Sequence, residues 1–214
     1  SCHNYQVKAF CKFYFRKIIK YKEILMKVRD SGMPEENVWN TFFDTNCILT
    51  ELQINAQVKD LVEMGSGYGT FTIPAAKRIS GKLFAFDFEQ EMITLLKKKQ
   101  TEYQIDNIIA EQRDIIDKTT GLKNDYVDYV MLFNILHNES PLIFFNEAYR
   151  ILKPGGLIGI IHWRSDIETP RGPDLSIRPK PEQILKWADE KKFSVNKKPF
   201  VIKPYHYGLV LSKI

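Results

Sequence analysis

Asp60-Leu61-Val62-Glu63-Met64-Gly65-Ser66-Gly67-Tyr68-Gly69-Thr70-Phe71 is the stretch on which the fold turns. A β-rich apolar run ends in three glycines at alternate positions and passes into a helical pattern over 71–79. Glycine permits the tight turn and removes the β-carbon that would block a ligand lying across a strand tip, while the N–H groups of the helix start face that ligand. Many purely structural turns carry glycines too, so the stretch needs a partner. One comes 18 residues after Gly69: Ala85-Phe86-Asp87-Phe88 puts a carboxylate at the end of the next β-rich run. That is where α/β sheets place the acid that takes ribose hydroxyls. The spacing suits a nicotinamide or an adenosyl cofactor. The glycines read G-x-G-x-G, with the third one residue early for the dinucleotide fingerprint, and Glu63 stands two residues before the first.

Outward from this stretch, short β-rich runs alternate with helical patterns, the signature of α/β units around a parallel sheet. The runs cover 58–63, 82–88, 108–112, 126–133 and 157–163. The amphipathic stretches between them cover 71–79, 90–103 and 142–152, the last closed by Lys153-Pro154-Gly155-Gly156, which reads as a helix stop followed by a turn. A polar stretch over 164–180 follows, then a helix opened by Pro181 and two β-like runs over 194–203 and 205–211. Ahead of the glycine stretch, Pro34, Glu35 and Glu36 open a short helix through Trp39, Phe42 and Phe43, and a second apolar run leads into the body. Over 5–29, apolar residues at steps of three and four with lysines between them predict a basic amphipathic helix. The expected division is an N-terminal helical segment over 1–55, comprising basic helix and lid, and one domain over 56–214 with an insertion at about 164–180.

The chain has 214 residues, 44% hydrophobic and 27% charged, which excludes a disordered or collagen-like protein. Its net charge of +5 is uneven: residues 1–30 hold eight basic and two acidic side chains, leaving 23 basic and 24 acidic on the body. The basic segment is either a surface for an anionic partner or a helix with solvated lysines. Three cysteines at 2, 11 and 47 match no zinc spacing, so no metal is expected and a reduced, cytoplasmic setting fits. The most apolar runs fall far short of the ~20 residues of a membrane span.

On these residues the chain resembles the class I S-adenosylmethionine-dependent methyltransferases, whose first motif is an acid, one residue, then G-x-G-x-G. The resemblance extends through Phe86-Asp87-Phe88-Glu89-Gln90-Glu91-Met92-Ile93, Gln112-Arg113-Asp114-Ile115, Asp125-Tyr126-Val127-Asp128-Tyr129-Val130 and Leu152-Lys153-Pro154-Gly155-Gly156-Leu157, in the family's order. It implies a doubly wound, mostly parallel seven-stranded sheet with helices on both faces and an antiparallel last strand at 205–211. It also implies S-adenosyl-L-methionine as cofactor. Glu63 would lie near its amino-acid end, Gly65, Ser66, Gly67 and Gly69 along its methionine portion and ribose, and Asp87 on the ribose hydroxyls, since a carboxylate accepts two donors at once. Phe88 would face the adenine, although core packing explains it as well. Asp114 would accept from the adenine amino group beside Ile115, and Asn134, at the carboxyl edge of the fourth strand, would add a contact.

The same edge carries neither the Pro-Pro-aromatic sequence of DNA amino-methyltransferases nor a Pro-Cys nucleophile, which lowers the weight of a nucleic-acid acceptor without removing it or a protein acceptor. Methyl transfer needs in-line placement, exclusion of water and sometimes a base. Substrate-side candidates are His162, Trp163, Arg164, Asp166, Arg171 and Arg178, which follow the fifth strand. The three arginines point to an anionic group on a small molecule, because guanidinium forks hold carboxylate or phosphate; an arginine-pinned surface loop is the alternative. His162 or His206 could remove a proton, or be a structural histidine. The competing functions are a cofactor-binding scaffold without catalysis, a basic-helix adaptor, and a nicotinamide enzyme, the last disfavoured by the glycine spacing.

Overall fold

The computed structural model describes residues 33–214; the basic helix expected over 5–29, with Cys2 and Cys11, lies outside the described residues. Two short helices come first, α1 (Glu36–Asn40) and α2 (Thr45–Glu51). The side chain of Asp44 caps α2 by accepting from the Cys47 N–H at 3.0 Å. The body then alternates: β1 (Leu61–Met64), α3 (Thr72–Ala76), β2 (Leu83–Asp87), α4 (Gln90–Glu102), β3 (Ile108–Gln112), α5 (Ile115–Lys118), β4 (Val127–Phe133), α6 (Pro141–Ile151) and β5 (Leu152–Trp163). The chain closes with α7 (Pro181–Glu190), β6 (Phe193–Ile202) and β7 (His206–Lys213).

The strands form one seven-stranded sheet in the order β3-β2-β1-β4-β5-β7-β6. Strands β1 to β5 are mutually parallel, and β7 runs antiparallel to both β5 and β6. This is the expected architecture, with the antiparallel strand inserted between β5 and β6. The order reverses direction between β1 and β4, so the carboxyl ends of those two strands part and leave a crevice.

Strand β4 shows why the sheet is covered on both faces. Tyr129, Met131 and Phe133 pack with Trp39, Leu49, Phe71 and Leu96, while Val130 and Leu132 pack with Phe145, Ala148 and Ile151 of α6. Side chains alternate across a strand, so the unbroken apolar run from Tyr129 to Phe133 is buried on both sides. Each such fully buried side chain contributes about 1.5–3 kcal/mol relative to exposure.

One local expectation changes. Helix α6 passes directly into β5 at Leu152 without an intervening turn. The turn chemistry of Lys153-Pro154-Gly155-Gly156 is used inside the strand: Val127 pairs with Leu152 but Tyr129 with Leu157, so the extra residues bulge out of the ladder at Gly155, φ +75°. Lys153 Nζ reaches back to Asp128 Oδ1 at 2.6 Å and fastens the bulge to β4.

Candidate functional site

The crevice at the carboxyl ends of β1, β2 and β4 opens into a cavity of about 920 Å³. Glu63, Gly65, Ser66 and Gly67 form one wall, Asp87 and Phe88 another, and Asp114, Ile115 and Asn134 complete it. Nine of the ten residues expected at a cofactor thus converge on a single space. The tenth, Gly69, sits behind the wall. A β-carbon there would come within 2.7 Å of Leu96 Cδ1 on α4, and its φ of +76° suits glycine, so it shapes the loop by packing. At Gly65, φ +83°, a β-carbon would meet Ile135 Cγ2 at 2.8 Å.

The walls carry their own electrostatics. Asp87 Oδ2 accepts from the Gly67 N–H at 2.8 Å and Oδ1 from the Glu89 N–H at 3.0 Å, so the strand-end carboxylate holds the glycine loop in place. Burial pushes the Asp87 carboxyl up, with the N–H groups of Glu89, Gly67 and Phe88 pulling the other way. Glu63 is fully enclosed and pushed up to about 8, chiefly by burial; the hydrogen bond from the Thr72 hydroxyl opposes this and the nearby Asp87 adds to it. A carboxyl placed so is neutral at pH 7 until a cation arrives beside it.

Polar atoms on the wall also await partners. Ser66 Oγ and both amide atoms of Asn134 are buried with no hydrogen-bond partner among the described residues. Asn134 further adopts φ +56°, a left-handed conformation that asparagine tolerates better than most residues. Buried polar groups are nearly always satisfied, and strained ones concentrate at ligand sites. Phe88 is 46% exposed on the cavity, which a core residue would not be. These features fit an adenosyl ligand carrying hydroxyls, an ammonium and a flat ring.

Sequence reasoning missed part of the lining. Tyr68 and Met92 also face the cavity, and each lies inside a quoted motif, so spacing along the loop and along α4 could have found them. Met33, Trp39 and His137 line it as well. Of the expected lid, Trp39 reaches the cavity, whereas Phe42 and Phe43 turn into the core against Trp163, Phe71 and His206. The lid is tied down where Glu36 pairs with Lys99 of α4.

The substrate-side candidates behave differently. None of His162, Arg164, Arg171 and Arg178 lines the cavity. Arg164 forks onto Asp166 at 2.9 and 2.7 Å and faces a separate hollow of about 420 Å³ beside Lys180 and Phe200. Arg178 is buried; its guanidinium donates to the carbonyls of Pro173 at 2.8 Å, Arg164 at 2.9 Å and Arg171 at 3.4 Å, and lies 5.5 Å from the Trp163 ring centre. A loop with buried carbonyls needs donors, and a five-donor fork supplies them. Arg178 is a pin, and the expectation of an anion clamp gives way to the arginine-pinned loop. Replacing Arg178 with alanine is expected to speed proteolytic cutting within 164–180 while leaving S-adenosylhomocysteine affinity within about twofold, the usual scale for a change away from a ligand. An affinity loss beyond tenfold would return the arginine to the site.

His162 and His206 are both fully buried. His206 stacks on Trp163 with ring centres 4.2 Å apart, away from the cavity lining. Among the described residues, no helix is long and apolar enough to cross a membrane.

Comparison with known proteins agrees with this geometry. Residues 61–156 match a family model described as a methyltransferase domain. A tRNA (adenine(58)-N(1))-methyltransferase catalytic subunit of Yarrowia lipolytica is 27% identical over 92 residues, covering 42% of this chain and 23% of that protein. The chain spans about a quarter of the length of the curated relatives it matches. Among solved structures, a SAM-dependent methyltransferase from Aquifex aeolicus superposes with a TM-score of 0.73 at 20% identity, over 81% of this chain and 91% of that one. A geranyl diphosphate methyltransferase in complex with SAM gives 0.67 at 12% identity, over 86% and 93%. These two likenesses speak for the fold, and the matched domain supplies the sequence side of the argument. The glycine loop, the strand-end acid and the sheet order thus fall in register with one known class: residues 61–156 match a methyltransferase domain, and the chain resembles the class I S-adenosylmethionine-dependent methyltransferases and has their Rossmann-like fold.

Proposed function

We propose that this chain transfers a methyl group from S-adenosyl-L-methionine to a small molecule, with the cofactor lying across the carboxyl ends of β1, β2 and β4. The carrying observation is the convergence on one cavity of Asp87, the bare glycine loop and the unpartnered Asn134 amide. In this reading Asp87 accepts from the ribose hydroxyls, and Gly65, Ser66 and Gly67 follow the methionine portion and ribose. Glu63 meets the amino-acid end, Phe88 and Ile115 flank the adenine, Asp114 takes its amino group and Asn134 closes the carboxyl edge. Gly69 serves through loop shape. When bound, the cofactor supplies an electrophilic methyl on a sulfonium; the protein supplies position and a dry wall. Of the N-terminal segment, the described residues 33–55 border the cavity through Met33 and Trp39, and 56–214 act as the catalytic domain.

The charge of the acceptor follows from the lining. Three acids face the cavity, Asp87, Glu89 and Asp114, together with Glu63, which is neutral until a cation arrives, against one guanidinium, Arg113, which already donates to Glu111 at 3.0 Å. With Arg164 paired to Asp166, Arg178 spent on its own loop and Arg171 off the cavity lining, a neutral or cationic acceptor fits better than the anionic one expected from the sequence. A polynucleotide acceptor is the second reading, favoured by the tRNA methyltransferase likeness.

Thermal unfolding with S-adenosylmethionine, S-adenosylhomocysteine and NAD tests the reading. A ligand at about a hundred times its dissociation constant adds roughly 2.7 kcal/mol, a rise of several degrees, and the adenosyl compounds alone are expected to give it. A rise with NAD alone, or with none, overturns it.

A further inference from the structure

The residues lining the cavity sort by charge along the row of strand tips. At the β2–β3 end stand Asp87, Glu89, Arg113 and Asp114. At the β4–β5 end stand rings: Phe133 closes β4, Phe71 lies against it with ring centres 5.0 Å apart, and Trp39 lies 5.9 Å from Trp163, the last residue of β5. Phe43 links the set from behind, 4.8 Å from Trp39 and 5.0 Å from Phe71. The three cavity rings are 4–6% exposed, so packing holds them in place before any ligand arrives. Among the described residues, neither the lid nor the chain from β4 onward contributes an Asp, Glu, Lys or Arg to the lining.

We propose that this aromatic end holds the methyl acceptor, that it takes a small uncharged molecule carrying a flat ring, and that Trp39, Phe71 and Phe133 determine that specificity. The inference rests on the methyltransferase reading, in which Asp87 and Phe88 are given to ribose and adenine and the rings at the β4–β5 end are left unassigned. A charged acceptor would leave water there with no counter-charge beside it, and burying an unpaired charge is costly. The acids that could balance a cation stand at the opposite end of the cavity, with the cofactor between. A flat apolar molecule exchanges water for ring contacts at the same spacing, about 4.5–7 Å between centres, that the three residues already keep with their neighbours. The neutral or cationic acceptor thus narrows to a neutral one. Sequence alone hid the grouping, because Trp39, Phe71 and Phe133 come from the lid, the glycine loop and β4, and each is equally at home in a core.

The test is titration of the full chain, saturated with S-adenosylhomocysteine and labelled with ¹⁵N at its three tryptophans, with indole, benzylamine or benzoate. Indole is expected to shift the Trp39 side-chain N–H saturably and to leave that of Trp187, on α7, unmoved. Benzylamine and benzoate, an ammonium and a carboxylate at neutral pH, are expected to bind at least about tenfold more weakly. Phe133→Leu, which keeps the wall apolar and removes one ring, is expected to weaken indole about three- to tenfold while S-adenosylhomocysteine affinity stays within about twofold. Should that variant fail to fold, the wild-type titrations decide alone. An unmoved Trp39 signal, equal affinity for either charged probe, or displacement of S-adenosylhomocysteine by indole overturns the proposal. Absence of S-adenosylhomocysteine binding strikes the methyltransferase reading itself, so the two failures are separable.

Discussion

Replacing His206 with phenylalanine is expected to make the protein more resistant to acid, by about 2 kcal/mol more at pH 5 than at pH 7.5. The side chain is fully buried, and neither ring nitrogen has a hydrogen-bond partner among the described residues. Aromatic rings crowd it: Trp163 at 4.2 Å, Phe43 at 4.7 Å and Trp39 at 6.2 Å between centres. Burial first, and the Arg178 charge second, push its imidazole down to about 3. Above pH 6.5 the ring is neutral in both folded and unfolded chains, so it contributes no pH dependence. As pH falls from 6.5 towards 3 the unfolded chain takes up a proton that the native state refuses, and stability drops by about 1.4 kcal/mol per unit. Over the whole interval the loss approaches about 4–5 kcal/mol, a large part of a typical domain's stability. Phenylalanine cannot titrate, is of similar volume and removes two unsatisfied nitrogens. His162, shifted in the same direction, stays in the variant, so acid sensitivity is reduced and not abolished. Denaturant unfolding at pH 7.5 and pH 5 reads the difference directly; equal losses in wild type and variant would show that His206 is protonated or hydrated in the native state.

Replacing Asp87 with alanine is expected to weaken S-adenosylhomocysteine binding by at least about 2 kcal/mol, some thirtyfold, because hydrogen bonds to a charged group are worth about 1.5–3 kcal/mol each. Two contributions combine. In the proposed reading the ribose hydroxyls lose their acceptor; the Gly67 and Glu89 N–H groups lose theirs, so the glycine loop loosens as well. Asp87→Asn separates them: an amide oxygen can still accept from one N–H, so the loop is better kept while the charge is lost. Isothermal titration should place the asparagine variant between wild type and alanine. Wild-type affinity in the alanine variant would remove Asp87 from the ligand and with it the proposed orientation of the cofactor.

Whether a residue could be read from the sequence depended on how far its partner lies along the chain. The parallel runs were legible because strand and helix each print a local period. The glycine loop and Asp87 were legible because ligand binding at a strand tip demands residue types at fixed spacing within one β-α-β unit. Phe88 and Trp39 could each have been core or cavity, and burial decided: Phe88 stands open to the cavity while Trp39 is wedged between cavity and core. The place of 153–156 as a bulge followed from the pairing register with β4, which no turn propensity encodes.

By itself, then, the sequence determined the parallel alternation of strands and helices and the pairing of a glycine loop with a strand-end acid, both products of local periodicity and short-range motif spacing; the seven-stranded sheet and the cofactor roles of its residues were implied by the family resemblance. Only the tertiary structure decided the substrate side. Arginine is equally suited to hold an anion or to satisfy the carbonyls of its own loop, and which it does depends on what the fold buries beside it; Arg178 met three carbonyls and Trp163. A histidine's role is likewise set by what surrounds its two nitrogens, and for His206 that is a cage of aromatic rings from Trp163, Phe43 and Trp39.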